Sequence, residues 1–142
     1  MGNFGKIGKL ISSVPFISKI GKKYKLKLMI IFGSAAEGKT HKTSDIDVAV
    51  ASDKNIAYKT FFGICSDLNN IFPDKEVDLC DLKKVSPLLL KKISDNGILV
   101  YGKKRDFYNF KIGAFKSYVD YLPYFRIEEK SVTKFISDYA RR

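Results

Sequence analysis

No apolar run in this chain of 142 residues approaches the roughly 20 residues that a membrane-crossing helix needs. The longest, Leu28 to Phe32, is strand-sized. A secretory signal is not expected either, because the apolar stretch from Leu10 to Ile20 is interrupted by Ser12, Ser13, Pro15 and Lys19. The opening Met1-Gly2-Asn3-Phe4-Gly5-Lys6 lacks the Ser or Thr of a myristoylation signal, Lys6 standing in its place. The expected location is therefore the cytoplasm, without a membrane partner. Cysteine is scarce. Cys65 and Cys80 are too few for a disulfide framework and lack the paired spacing of a zinc site, so both read as ordinary buried thiols. Repeats, low-complexity tracts and long linkers are absent, and the single histidine, His41, lies in a polar loop and reads as solvated. The first quarter of the chain lacks acid altogether, since Lys6, Lys9, Lys19, Lys22, Lys23, Lys25 and Lys27 all precede Glu37.

What is present suits one globular domain over residues 1–142, with a core at about 15–102 and a helical C-terminal part at 103–142. An apolar content of 45% beside 29% charged residues is that of a packed protein rather than a disordered one. The formal charge of +11 raises the question of nucleic acid, whose phosphates clustered Lys and Arg neutralise. A solvated, solubilising helix face accounts for the basic N-terminal segment more simply. Two other uses are docking an acidic partner and steering a polyphosphate substrate.

Periodicity places the elements. Pro15 suits the first turn of a helix capped by Ser12 or Ser13 and closed at Gly21, with Ile17 and Ile20 as its apolar face, and Ile7, Leu10 and Ile11 allow an earlier helical turn. Lys25 to Phe32 and Asp45 to Ala51 read as strands, joined by a polar connection with a helical turn after Gly33-Ser34. Ser52-Asp53 reads as the start of a helix over 54–72 that Pro73 ends. Glu76 to Leu82 alternates as a third strand. Ser86-Pro87 opens a helix that stops at Gly97, Ile98 to Tyr101 is a short strand, and a helix follows from Lys104 to Tyr121. Pro123 is expected to break that run, leaving Glu128 to Tyr139 for a last helix. Strands separated by helices imply an α/β sandwich, a small sheet covered by helices.

The chemistry concentrates in Ile30-Ile31-Phe32-Gly33-Ser34 and Ser44-Asp45-Ile46-Asp47-Val48-Ala49-Val50. Side chains alternate along a strand, so Asp45 and Asp47 point one way while Ile46, Val48 and Val50 point the other. Two carboxylates side by side at a core edge repel each other. A divalent cation between them relieves that cost, and the nearby Gly-Ser turn, with bare backbone N–H groups and a hydroxyl, suits a phosphate as the cation's other ligand. Ser44 reads as a cap of the turn or a phosphate contact. On the third strand Glu76 shares a face with Asp78, and Asp81 takes the other.

Phe32-Gly33-Ser34, a ten-residue gap, Asp45-Ile46-Asp47 at the head of an apolar strand and an acid at Asp78 resemble the nucleotidyltransferase fold of the DNA polymerase β superfamily. The short length and the finish Gly97-Ile98-Leu99-Val100-Tyr101-Gly102 resemble its minimal nucleotidyltransferase (MNT) group. The tail from Arg105 to Tyr124 is similar to the closing helix of MNT proteins that pair with HEPN-domain toxins. The likeness spans about residues 15–125. It implies that Asp45 and Asp47 hold the catalytic Mg²⁺ ions, two in number, that Asp78 completes the cluster, and that Gly33 and Ser34 cradle the phosphates of ATP. It further implies an antitoxin that moves AMP from ATP to a tyrosine hydroxyl of a small, all-helical HEPN ribonuclease toxin. The alternatives are nucleotidyl transfer to a small molecule or an RNA 3′ end, and a non-catalytic antitoxin that masks its toxin. The chain departs from its relatives at Glu37, where many carry Arg. An acid beside a triphosphate is unfavourable unless it turns to solvent, and Lys39 and Lys42 lie close enough in sequence to compensate.

Overall fold

The architecture is taken from a computed structural model, which describes residues 2–37 and 45–141. His41, Ser44, Lys39 and Lys42 lie outside the described residues. A four-stranded sheet in the order β3-β2-β1-β4 is built from β1 (Leu28–Phe32), β2 (Ile46–Ala51), β3 (Val77–Asp81) and β4 (Ile98–Gly102). Strand β1 pairs antiparallel with β2 and with β4, whereas β2 and β3 run parallel. The mixed α/β sheet is the expected one.

Both faces of the sheet are covered. On one, Met29, Ile31, Ile46, Val48, Val50 and Val77 pack against Ile17 and Ile20 of α1 (Gly2–Lys23) and Ile64 and Leu68 of α3 (Tyr58–Ile71). On the other, Leu28, Ile30, Phe32 and Ala49 pack against Ile93 of α4 (Pro87–Asn96) and Phe107 of α5 (Lys104–Ala140). Strand β1 is buried along its whole length, which is why its apolar residues run without alternation. The charged groups of β2 and β3 are thereby confined to the strand ends. Among the described residues no helix is long and apolar enough to cross a membrane.

Several boundaries differ from the sequence reading. Pro15 does not open a helix but lies inside α1. Its ring removes one backbone hydrogen bond, yet Ile17 and Ile20 are buried just beyond it, and Ser13 donates its hydroxyl to the Leu10 carbonyl at 2.8 Å rather than capping. Gly21 does not end α1 either, because the helix runs on to Lys23. Glycine is needed there for another reason, since a Cβ would stand 2.5 Å from the Tyr101 ring. Lys25 adopts φ 54°, so the first strand starts at Leu28. Asp53 starts no helix: its carboxylate pairs with Lys27 at 3.3 Å and its carbonyl accepts from Lys83 Nζ at 3.1 Å, tying three strand ends together. Helix α3 accordingly begins at Tyr58. By contrast Ser86 caps α4 as expected, accepting from the Leu89 N–H at 3.3 Å.

The C-terminal part is one helix rather than two. Pro123 lies inside the 37-residue α5. The lost hydrogen bond falls on an exposed stretch of helix, where water can satisfy the freed carbonyl. Tyr121 and Glu128, two turns apart on either side of the proline, are hydrogen-bonded through the phenol at 3.0 and 3.1 Å.

Candidate active site

The end of the sheet where β1 finishes and β2 and β3 begin gathers the predicted residues. In the parallel β2–β3 register Asp47 lies beside Asp78, and in the antiparallel β1–β2 register Asp47 lies opposite Phe32. Gly33 follows at once, at φ 72°. A side chain there would be strained, and it would also collide with Asp47 Oδ2. The carboxylate therefore lies directly over the bare glycine, and the turn residue and the acid fit as a unit. Ser34 begins the four-residue helix α2 (Ser34–Glu37). Glu37, the departure noted above, is exposed, so its charge is turned to water.

Alternation decides which acids share this face. Val48 and Val77 belong to the cluster under α1 and α3, while Ala49 and Cys80 pack on the side of α4 and α5. Asp47 and Asp78 consequently point to the α4 side. Asp81 points the other way, is buried, and accepts the Lys83 N–H at 3.0 Å, a turn-forming role. Glu76 stands just before β3, where its carbonyl accepts the Ile46 N–H at 2.9 Å.

Electrostatics marks Asp47 out. Partial burial, then the like charges of Asp78 and Asp45, hold its carboxyl above the usual carboxylate range, while Lys92 pulls it down. Asp78 and Asp45 thus both lie near enough to act on Asp47. Among the described residues the three acids are not drawn into a ready-made cluster of three metal ligands. The donor set is nonetheless of one chemistry, hard carboxylate oxygens, which suits Mg²⁺. Behind them Cys80 has its thiol pushed up to about 12 by burial and then by Asp47, Asp78 and Asp81, although Cys80 and Cys65 are half-buried rather than buried as expected.

Lys92 was not anticipated from the sequence. It stands on α4, the helix that covers the Asp47 face, and is exposed. On a helical wheel it is one more solvated lysine. Only the knowledge that α4 covers that particular face gives it a role.

The profile of the polymerase beta nucleotidyltransferase family matches residues 16–106. The chain belongs to that family. Protein adenylyltransferase MntA of Shewanella oneidensis is 30% identical to it over 94 residues, which make up 66% of this chain and 67% of that protein. A chain of a toxin–antitoxin complex with AMP-PNP superimposes with a TM-score of 0.69 at 24% identity, covering 87% of this chain and 98% of that one. A chain of the tri-AMPylated Shewanella oneidensis HEPN toxin in complex with its MNT antitoxin superimposes with a TM-score of 0.61 at 21% identity, covering 96% and 99%. These superpositions establish the shared fold, and the match to MntA makes the chain a homologue of a protein adenylyltransferase. It is a nucleotidyltransferase by family.

Proposed function

We propose that the chain is an Mg²⁺-dependent antitoxin that transfers AMP from ATP to a tyrosine hydroxyl of a HEPN-domain toxin. The observation that carries this is the register that sets Asp47 beside Asp78 and under Gly33, in a homologue of a protein adenylyltransferase. Asp45, Asp47 and Asp78 are the residues that would hold the metal. When bound, Mg²⁺ offsets the charge of the triphosphate oxygens and of the three carboxylates. The backbone N–H groups of Gly33 and Ser34 receive the β- and γ-phosphates. Lys92, on the same face, supplies positive charge on the α4 side.

In the transfer the tyrosine oxygen attacks the α-phosphorus, the bond from that phosphorus to the bridging β-phosphate oxygen breaks, and pyrophosphate leaves. The phenolic proton passes to Asp78, the general base. A nucleotide placed on the toxin adds bulk and negative charge where RNA must approach, which silences a ribonuclease. Such a pair would act in the cytoplasm. The test is to incubate the chain and its HEPN partner with labelled ATP and Mg²⁺, comparing wild type with Asp45→Ala/Asp47→Ala. Labelling of the partner by wild type alone is expected. Equal labelling by both would refute the assignment, and protection of cells by the double variant would favour masking over catalysis.

A further inference from the structure

Helix α5 is longer than the body it packs on. Its first half is seated through Phe107 and Ala114, which are buried, but from Pro123 to Arg141 every residue is exposed except the half-buried Phe125. At about 100° per residue, Tyr124, Ile127, Val132, Phe135 and Tyr139 fall on one side of this overhang, with Glu128 and Asp138 among them. Arg126, Lys130 and Ser137 fall on the other. A helical face of this kind draws its stability from packing rather than from propensity.

The same side of the first half carries Phe110, Gly113 and Ser117, which wall a cleft of about 440 Å³ over Leu28, Leu82 and Leu90. A Cβ at Gly113 would meet nothing within 4 Å, so the cleft is open above it. Cleft and overhang share one stripe of α5 and form one groove. It lies at the Leu28 and Leu82 end of the strands, opposite the end that carries Asp47 and Asp78.

We propose that this groove is the docking site of the HEPN-domain partner, which lays an apolar segment along the overhang and sets one apolar side chain in the cleft. The inference rests on the functional reading above and adds to it the surface that holds the partner. Tyr124, Phe135 and Tyr139 are 65%, 69% and 71% exposed, which bares on the order of 400 Å² of aromatic surface. Ile127 and Val132, also exposed, bring the face to on the order of 600 Å², the larger part of the roughly 800 Å² per side of a stable protein interface. The 96% coverage in the toxin–antitoxin superposition leaves too few residues unmatched for the overhang to be foreign to that fold. Charge argues against the other occupants. Glu128 and Asp138 fall on the same side of the overhang as its aromatic rings, so that side meets an anionic membrane with negative charge, and two copies of a chain carrying +11 repel each other.

The experiment compares wild type with Gly113→Trp, which fills the cleft from an open position, and with Phe135→Asp/Tyr139→Asp on the overhang. Affinity for the HEPN partner is measured by calorimetry, AMP transfer with labelled ATP, and melting temperature by circular dichroism. Both variants should keep the wild-type melting temperature and bind the partner roughly 30-fold more weakly or worse. Variants that bind like wild type, while wild type binds and labels its partner, overturn the groove alone. A wild type that neither binds nor labels overturns the functional reading and the groove with it. Loss in the variants of a wild-type dimer, or of wild-type binding to phosphatidylserine vesicles, would give the groove to a second copy or to lipid and overturn the proposal.

Discussion

Replacing Gly33 with alanine tests the structural unit on which the site depends. The cost has two separable parts. An L-residue at φ 72° pays roughly 1–2 kcal/mol for the left-handed backbone, lessened by about 0.4–1 kcal/mol because alanine also restricts the unfolded chain. The new methyl group would also collide with Asp47 Oδ2 and push that side chain off its rotamer, at about 0.5–1.5 kcal/mol. The sum is about 2 kcal/mol. For 142 residues an unfolding entropy of about 2.1 cal/mol/K per residue converts this to a fall in melting temperature of about 6–7 °C. A double-mutant cycle separates the parts. In an Asp47→Ala background the collision is gone and only the backbone cost remains, so Gly33→Ala should then lower the melting temperature by about 3 °C. The assay is thermal unfolding by circular dichroism of wild type, both single variants and the double variant, together with AMP transfer by the first two. Transfer should fall in Gly33→Ala because the carboxylate is displaced. Equal losses of stability in the two backgrounds, or none in either, would refute the contact between glycine and acid.

Asp47→Asn should abolish transfer, by about 100-fold or more, yet raise the melting temperature. Burial and the like charges of Asp78 and Asp45 hold Asp47 above its ordinary value of 3.8, so its ionised form destabilises the fold. Stability should therefore rise as pH falls through the raised value toward 3.8, and pH-dependent unfolding of the asparagine variant should lack that component. Asp67 behaves oppositely: hydrogen bonds from Lys23 and then Tyr24 hold it below 3.8. Its contribution is present above pH 3.8 and is lost as pH falls through the lowered value. Because the Lys23 end is exposed, Asp67→Asn should cost only about 0.2–1 kcal/mol in neutral-pH denaturant unfolding. Cys80, half-buried with its thiol pushed up to about 12, should resist iodoacetamide at pH 8 in the folded protein, and mass spectrometry showing rapid alkylation there would contradict the raised thiol.

Much of the site was legible because strands obey a period of two. That rule alone put Asp45 and Asp47 on one side and the Ile46-Val48-Val50 row on the other, and the row is in the core. The same rule separated Asp78 from Asp81, the preference for Asp78 over Glu76 came from the family resemblance, and the register sets Asp78 beside Asp47. Helix α4 was legible from both ends, Ser86-Pro87 and Gly97. Two of the four prolines were not. Pro15 and Pro123 weaken a helix wherever they stand, but the helix runs on through contacts that a propensity reading does not record, the burial of Ile17 and Ile20 beyond Pro15 and the Tyr121–Glu128 hydrogen bond across Pro123. Asp53 was misread for a related reason, since a cap and an ion pair use the same carboxylate and Lys27 lies far off in sequence. Lys92 required knowledge of which helix covers which face.

Part of the basic surplus takes a different meaning once six of its 26 members are located. Lys23 is paired with Asp67 at 2.9 Å, Lys27 with Asp53 and Lys91 with Asp95. Lys19 lies over Phe16, Lys84 over Tyr58 and Lys111 over Phe107, so these cations are spread over α1, α5 and the loop after β3 and shield apolar rings from water. A polynucleotide groove needs its cations unpaired and in a row. Binding to a single-stranded polyanion should accordingly be weak and non-specific, with a dissociation constant near 10⁻⁵ M at physiological salt. Fluorescence anisotropy of labelled RNA gives that constant, and excess RNA should leave AMP transfer unchanged. Submicromolar affinity at 0.15 M salt, or competitive inhibition by RNA, would show that the lysines act together on phosphates after all, and would move the acceptor from protein to nucleic acid.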